Sequence, residues 1–526
     1  MFLKIVLLLV FFAIMVGVGI YCKKTATNVQ GFVLGGRNVG SWLTAFAFGT
    51  SYFSAVIFVG YAGQFGWKYG LAATWIGLGN ALIGSLLAWR ILGRRTRLMT
   101  QHLQSATMPD FFGQRFGSGA LKIAASVIVF IFLIPYTASL YNGLSRLFTM
   151  AFGIDYAWCV FGMAVLTAIY VLVGGYMATA INDFIQGLIM LFGICAVVVS
   201  VLKFNGGFTE AIQSLSQVTS ESAPALSGAF VSFFGPQPLY LLGVVLLTSL
   251  GTWGLPQMVG KFYAIRDENA IRKGTFISTV FALIVAGGCY FLGGFSRLYS
   301  GAIEYTPAGT PIYDSIVPSM LASLPDVIIA IVIILVLSAS MSTLSSLVLT
   351  SGSTFTLDII DPAVKKSRGR GMQEKSQLLS IRLIVLFFIA VSSVLAIVQA
   401  KSSVTFIAQL MGISWGALAG AFLAPFLYGL YWKRTTAASV WCSFISGVVV
   451  MCICMYCTLS GNTFISPYFS SPINAGVLAM VMGLVIVPVI SLFTKVKDKD
   501  KVARMFDCYE RNVTVRASSS LSENEQ

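Results

Sequence analysis

The sequence predicts an all-α polytopic membrane protein with about thirteen transmembrane helices. Of its 526 residues, 57% are hydrophobic and only 10% are charged, which leaves too little polar surface for a soluble globule. Apolar stretches of about 20 residues recur along the chain, and each can cross roughly 30 Å of hydrocarbon as a helix. The stretches lack the alternation of a barrel strand. Helices are therefore expected throughout.

The predicted spans set the topology. They cover residues 3–21, 42–65, 71–92, 121–150, 158–177, 184–202, 239–259, 276–295, 327–349, 379–398, 406–430, 440–459 and 475–493. An odd number of spans places the two termini on opposite sides. Basic residues concentrate in alternate connections, as at Arg94 and Arg95 and at Lys365 and Lys366. The positive-inside rule then places the amino terminus outside and the basic tail inside. The net charge of +15 is explained by the basic residues in these inside connections, so no nucleic-acid partner is expected.

Two spans are interrupted by small or helix-breaking residues. The second carries small and hydroxylated residues from Gly49 to Ser54, and the seventh carries Gly251, Gly254 and Pro256. Paired interruptions in two halves indicate a transporter binding site, although glycines also permit close helix packing. Each interrupted span opens a five-helix unit, and an odd number of spans inverts the second unit. The division is 1–40 (first helix and loop), 41–205 (first repeat), 206–435 (second repeat), 436–494 (two further helices) and 495–526 (basic cytoplasmic tail, expected to be disordered).

The ninth span is unusually rich in hydroxyl groups. Ala339, Ser342, Thr343 and Ser346 are spaced along one stripe of the helix. Hydroxyls and freed backbone carbonyls are suitable ligands for a hard cation. The carbonyls of the interrupted second span would complete such a site. The alternative is that these hydroxyls bond back to their own helix or join neighbouring helices.

Asp183 is a carboxylate at the start of the sixth span. No basic residue lies between Leu147 and Leu202, so no charge nearby in sequence neutralises it. A carboxylate in this position indicates cation or proton binding, and the alternative is a helix N-cap. His102 is the only histidine, and no pairing of nucleophile and base is evident. An enzyme, a transition-metal site and an organic cofactor are therefore not expected.

Several motifs resemble the sodium:solute symporter family. They are FVLGGRNVGSW before the second span, GTSYFSAVIFVGYAG within it, VLVGGYMATAINDFIQG around Asp183, GTWGLPQMVGKF in the seventh span and ASMSTLSSLVLTSGSTFTLDI in the ninth. The resemblance implies a LeuT-like core of two inverted five-helix repeats, with Na⁺ as coupling ion. It assigns sodium binding to Thr50, Phe53, Ala339, Ser342 and Thr343. It assigns a second sodium site, present in some relatives, to Asp183, Ser342, Ser345 and Ser346.

Candidate solute-binding residues lie at the two interruptions and on the fourth span. They are Tyr52, Ser54, Tyr136, Trp253 and Gln257. Aromatic and neutral polar groups suit a small organic solute. The resemblance is nearest to the branch that carries an amino acid such as proline or a carboxylate such as pantothenate, although proline carriers have an acidic residue at the position of Tyr52. A sugar or sialic acid carrier is the alternative, and a sodium channel or a transporter-like sensor is an alternative of another class. The expected location is a cell membrane, namely the bacterial inner membrane, and the oligomeric state stays open.

Overall fold

The chain forms a bundle of α-helices in a computed structural model that describes residues 2–306, 309–400, 407–460, 471–511 and 513. These ranges contain no β-strand, only isolated bridges between Val39 and Ile265 and between Tyr305 and Pro311. The first twelve helices are α1 (Phe2–Tyr21), α2 (Val29–Leu34), α3 (Ser41–Tyr52), α4 (Ala62–Tyr69), α5 (Thr74–Gly79), α6 (Arg94–His102), α7 (Met108–Phe116), α8 (Gly119–Phe152), α9 (Tyr156–Phe204), α10 (Phe208–Ser216), α11 (Pro238–Leu250) and α12 (Pro256–Tyr263).

The second part of the chain is also helical. Its helices are α13 (Glu268–Gly293), α14 (Tyr313–Ala322), α15 (Asp326–Phe355), α16 (Asp361–Arg368), α17 (Glu374–Ala400), α18 (Ile407–Tyr431), α19 (Ala437–Ser460), α20 (Pro472–Phe493) and α21 (Lys499–Phe506). Helix α15 lies at the centre, where it packs against α3, α8, α9 and α17. Residues 335–349 of α15 are buried without interruption, so its hydroxyl groups face protein rather than lipid.

The described residues include ten helices long and apolar enough to cross a membrane, or eleven with the bent pair α11 and α12. The protein is therefore a multi-pass membrane protein. Two of the ten cover 47 and 49 residues, more than twice the length that one crossing requires. Each contains a glycine with positive φ and non-helical ψ, Gly70 (φ 62°, ψ −141°) and Gly175 (φ 56°, ψ −148°). These glycines lie beside the predicted boundaries between spans.

The second and seventh predicted spans are interrupted where the sequence predicts, the second after α3 and the seventh between α11 and α12. Helix α3 ends at Tyr52, and Phe53 is extended (φ −81°, ψ 119°) before a helical segment resumes. In the other half, Leu255 is extended (φ −89°, ψ 118°) and α12 then begins at Pro256. Proline is favoured at a first helical position because no intrahelical partner is needed for its nitrogen. Backbone carbonyls at both breaks lack their usual helical partners.

Close helix packing depends on glycine at several crossings. Gly66 of α4 lies against the backbone of Gly293 in α13, and a Cβ at either position would overlap backbone of the opposite helix. Small residues allow this approach inside a membrane, where van der Waals contact replaces hydrophobic association. The packing interpretation of glycine therefore applies here, and it also applies at the second break, where a Cβ on Gly254 would lie 2.9 Å from backbone atoms of Ala419 and Leu423 in α18.

Part of the basic tail is folded, and the expectation of disorder is wrong for residues 495–511. Helix α21 is capped by Asp498, which accepts a hydrogen bond of 2.8 Å from the Lys501 backbone. Its face formed by Val502, Met505 and Phe506 is buried. The burial of this apolar stripe explains why a charged segment stays ordered. Residues 512 and 514–526 lie outside the described part of the chain.

A candidate cation and solute site at the broken helices

Five oxygen atoms from α3, from the extended residue that follows it and from α15 meet at the first break. The Thr343 hydroxyl lies 3.0 Å from the Thr50 carbonyl, 3.3 Å from the Phe53 carbonyl and 3.1 Å from the Ala339 carbonyl. The Ser342 hydroxyl lies 3.1 Å from the Thr50 carbonyl and 3.0 Å from the Ala339 carbonyl. We call these five residues the oxygen cluster. The structure brings together every residue that the resemblance assigns to the main sodium site.

The local backbone explains the cluster. Because α3 ends after Tyr52, the carbonyls of Thr50 and Phe53 accept hydrogen bonds from α15. Ser342 and Thr343 sit side by side in the buried middle of α15, one turn after Ala339. All five residues are at most 1% exposed. The oxygens are neutral and converge in a dry environment, which suits a monovalent hard cation that must also be released.

A buried ion pair lies beside the oxygen cluster. The Lys261 ammonium of α12 is 3.5 Å from the Asp183 carboxylate of α9 and donates a 3.0 Å hydrogen bond to the Ser346 hydroxyl of α15. It also lies 5.3 Å from the ring centre of Tyr176. Ser346 in turn shares a 2.8 Å hydrogen bond with Ser51 of α3. We call Asp183, Lys261, Ser346 and Ser51 the charged cluster.

Lys261 was missed by reasoning from the sequence. Asp183 has no basic neighbour along the chain, and its partner comes from 78 positions away on the other side of a break. The sequence contained one indication that Lys261 is buried. It lies five residues after Pro256, in a helix that starts inside the predicted seventh span. A buried lysine requires a partner of opposite charge.

The four residues assigned to a second sodium site are only partly assembled. Asp183 and Ser346 both lie near Lys261. Ser345 instead donates a 2.9 Å hydrogen bond to the Ser342 carbonyl, and Ser342 belongs to the oxygen cluster. In the described residues, the nearest donor to the Asp183 carboxylate is the Lys261 ammonium, 3.5 Å from Oδ2, and neither oxygen has a shorter hydrogen bond.

Aromatic residues and hydroxyls gather on the opposite side of the break. The ring centres of Tyr52 and Tyr136 lie 5.7 Å and 6.0 Å from that of Trp415 in α18. The Tyr136 hydroxyl faces Ser54 and Trp415, and the Tyr52 hydroxyl faces Tyr290. These polar groups face one another, but among the described atoms none of them forms a hydrogen bond of normal geometry. We call these five residues, Tyr52, Ser54, Tyr136, Tyr290 and Trp415, the aromatic pocket.

Two predicted solute residues lie apart from the aromatic pocket. The Trp253 indole donates a 3.1 Å hydrogen bond to the Ile83 carbonyl, so its polar edge is used within the protein. Gln257 lines a cavity of about 50 Å³ together with Tyr176, Lys261 and Ser346. Trp415 and Tyr290 enter the pocket instead, although no break or motif marked them in the sequence.

The Leu34–Arg37 motif secures the approach to α3. Gly35, Gly36 and Arg37 have positive φ angles of 58°, 67° and 54°. The Arg37 guanidinium donates to the Ser105 carbonyl at 2.7 Å and to the Tyr263 carbonyl at 3.4 Å. Burial lowers the pKa of Arg37 to about 10, and Tyr263 opposes this shift. Arg37 therefore keeps its charge at neutral pH and ties the start of α3 to the end of α12.

Known proteins are similar to this chain in sequence and in fold. The chain is 28% identical to the osmoregulated proline transporter OpuE of Bacillus subtilis, over 92% of this chain and 94% of the relative. It is 29% identical to sodium/proline symporter 2 of Staphylococcus saprophyticus, over 85% of each. A substrate-bound, outward-open sodium-coupled sialic acid symporter has a similar structure, with a TM-score of 0.74, 17% identity and coverage of 94% of this chain and 99% of that chain.

The structural similarity shows a shared fold. The sequence model of the sodium:solute symporter family matches residues 32–447. The family resemblance predicted from the motifs is confirmed. Relatives of this kind are carriers rather than enzymes. Because the match covers most of the chain, this protein belongs to the sodium:solute symporter family and is a sodium-coupled membrane carrier of a small solute.

Proposed function

We propose that this protein takes up a small zwitterionic solute, with proline as the first candidate, and drives uptake by sodium entry across a bacterial cytoplasmic membrane. Relatives at 28% and 29% identity carry proline in their names and come from bacteria. The single observation that carries the proposal is the convergence of five neutral oxygens at the break in α3.

The sodium ion would bind in the oxygen cluster. Its ligands would be the carbonyls of Thr50, Phe53 and Ala339 and the hydroxyls of Ser342 and Thr343. The hydroxyls now lie 3.0 to 3.3 Å from the carbonyls, so an ion between them would need only small shifts. Coordination by five protein oxygens replaces much of the hydration shell without any fixed negative charge.

The solute would bind in the aromatic pocket. Its tyrosine, serine and tryptophan groups make no hydrogen bond within the described structure, and a buried polar group without a partner is costly. A zwitterion can satisfy these donors with its carboxylate, while the rings of Tyr52, Tyr136 and Trp415 cover its apolar part. Tyr52 and Phe53 are adjacent in sequence, so the pocket and the oxygen cluster share the same break.

Coupling would follow from that shared break. Sodium bound between α3 and α15 would fix the backbone at Phe53 and thereby order the pocket around Tyr52. Each ligand then raises the affinity for the other, because linkage is reciprocal. A sodium ion that crosses the membrane potential contributes about 2.3 kcal/mol per 100 mV, which would drive the solute inward.

The membrane topology of the proposal has thirteen crossings, with the amino terminus outside and the carboxyl tail inside. The two overlong helices would each contain two crossings, divided near Gly70 and Gly175. Residues 41–205 and 206–435 would form the inverted repeats. The occurrence of one extended residue, Phe53 or Leu255, near the start of each repeat supports this division.

Sodium dependence of proline uptake in proteoliposomes tests the cation site. Replacement of Thr343 by alanine removes one ligand, and the half-saturating sodium concentration should rise about 10- to 100-fold, as for a hydrogen bond to a charged group. Ser340→Ala is the matched control, since among the described residues its hydroxyl bonds only to the Val336 carbonyl of its own helix, at 2.8 Å. Equal sodium dependence of both variants would contradict the proposed site.

Thermal stability of the purified protein tests the solute. Proline, pantothenate, glucose and sialic acid are each added with sodium or with choline. A ligand at 100 times its dissociation constant stabilises the folded state by about 2.7 kcal/mol. Proline should stabilise the protein only with sodium, and stabilisation by another solute alone would replace proline as the substrate.

A further inference from the structure

The charged cluster contains its own cation at the position where a second sodium ion was expected. Asp183 is fully buried and Lys261 is only 4% exposed. An isolated carboxylate inside a membrane protein requires a compensating charge. The Lys261 ammonium supplies this charge 3.5 Å from the Asp183 carboxylate and donates a hydrogen bond to Ser346. Asp183 and Ser346 are two of the four residues assigned to the second sodium site.

We infer that the Lys261 ammonium takes the place of a second sodium ion, so that this carrier binds one sodium ion per cycle, in the oxygen cluster. The inference rests on the proposed sodium site and specifies its stoichiometry. A sodium ion beside Asp183 would lie close to the ammonium, and like charges in a dry environment repel strongly. Lys261 would have to leave first, which would bury its charge elsewhere or leave it without a partner.

The surroundings of Lys261 show what its removal would uncover. A cavity of about 50 Å³ adjoins the ammonium and is lined by Tyr176, Gln257, Lys261 and Ser346. This exceeds the roughly 10–15 Å³ that one water requires. Ser346 lines this cavity and Asp183 does not, so loss of the ammonium that lies 3.5 Å from Asp183 would add the space between the carboxylate and the cavity. A variant without the ammonium should therefore admit a sodium ion and its water beside Asp183.

The location of Lys261 on a third helix distinguishes its ammonium from a bound sodium ion. Lys261 belongs to α12, while its partners Asp183 and Ser346 belong to α9 and α15. A sodium ion at this place could diffuse away when the helices separate, but a covalently held ammonium stays with α12. The charged cluster therefore neutralises Asp183 without consuming an ion from outside.

Equilibrium binding of radiolabelled sodium to the purified full-length protein tests the inference. The wild type should bind one ion per chain, Lys261→Met should bind two, and the double variant Lys261→Met/Asp183→Asn should bind one. Lys261→Arg is the matched control that keeps the charge, and it should bind one ion. The sodium dependence of uptake should be hyperbolic in the wild type and sigmoidal in Lys261→Met.

The outcomes separate the inference from the proposed function. Two ions in the wild type, or one in a folded Lys261→Met variant, would overturn the role of Lys261. If Lys261→Met does not fold, the wild-type number alone decides, since a value of two contradicts the inference. Binding of the single ion that is 10- to 100-fold weaker in Thr343→Ala supports the oxygen cluster, whereas an unchanged affinity would reject the proposed sodium site and leave the number of ions intact.

Discussion

The two sides of the break in α3 differ in how their polar groups are satisfied. On the side facing α15, the hydroxyls of Ser51, Ser342 and Thr343 all bond to atoms on the opposite helix. On the side of the aromatic pocket, the hydroxyls of Tyr52 and Ser54 have no partner among the described residues. One short segment therefore has hydrogen-bonded hydroxyls on the side facing α15 and, among the described residues, hydroxyls without a well-formed hydrogen bond on the other side.

This difference would allow the proposed sodium ion and the proposed solute to share one break. The α15 side is held together by the protein itself, so a cation there replaces existing hydrogen bonds and its net affinity stays moderate. The aromatic side has donors without a well-formed hydrogen bond in the described structure, so a solute bound there would gain hydrogen bonds. Substitutions on the first side should therefore change stability and sodium dependence, and those on the second should change solute affinity.

The largest effect on stability is expected when the ion pair between Asp183 and Lys261 is broken. Asp183→Asn leaves the Lys261 ammonium buried without a counterion, and loss of one partner of a buried pair costs about 3–5 kcal/mol. Thermal unfolding in detergent should show this loss. The double variant Asp183→Asn/Lys261→Met should recover most of it, and equal destabilisation of both variants would mean that the two charges are not coupled.

An intermediate effect should distinguish two buried tyrosines. Tyr136→Phe removes a hydroxyl that has no partner in the described structure, so the Tm should hold while the solute KM rises about tenfold, equivalent to 1.4 kcal/mol. Tyr170→Phe removes a 2.9 Å hydrogen bond to the Met341 carbonyl and should cost about 1 kcal/mol of stability with an unchanged KM. The reverse pattern in uptake and unfolding measurements would invalidate the comparison.

A small effect is expected from two serines on the same broken helix. Ser51→Ala loses hydrogen bonds to Ser346 at 2.8 Å and to the Ala47 carbonyl at 2.5 Å, which should cost about 0.5–1.5 kcal/mol of stability. Ser54→Ala loses none within the described structure and should leave the Tm unchanged. Calorimetry of the two variants side by side would show whether Ser54 has a partner after all.

The smallest effect on the solute KM is expected at Trp253. Its indole already donates to the Ile83 carbonyl, so Trp253→Phe should leave the solute KM within about twofold and lower stability by about 1 kcal/mol. Uptake kinetics compared with Tyr136→Phe measure this directly. A tenfold rise in KM would return Trp253 to the solute site that the sequence predicted for it.

Local features of the sequence determined much of the fold and part of the site. Long apolar runs require helices in lipid because every backbone group must find a partner. Glycines, serines and Pro256 located both interruptions, and the helical spacing of Ala339, Ser342 and Thr343 placed them on one surface. These conclusions need only the period of a helix and the conformational limits of single residues, so no long-range contact had to be known.

Only the tertiary structure decided which groups meet across the bundle. The partner of Asp183 is Lys261, which lies on α12 beyond the second break. Trp415 of α18 and Tyr290 of α13 join the aromatic pocket, whereas Trp253 turns toward Ile83. Such pairings depend on the relative rotation and approach of separate helices, which residue periodicity along one helix does not encode.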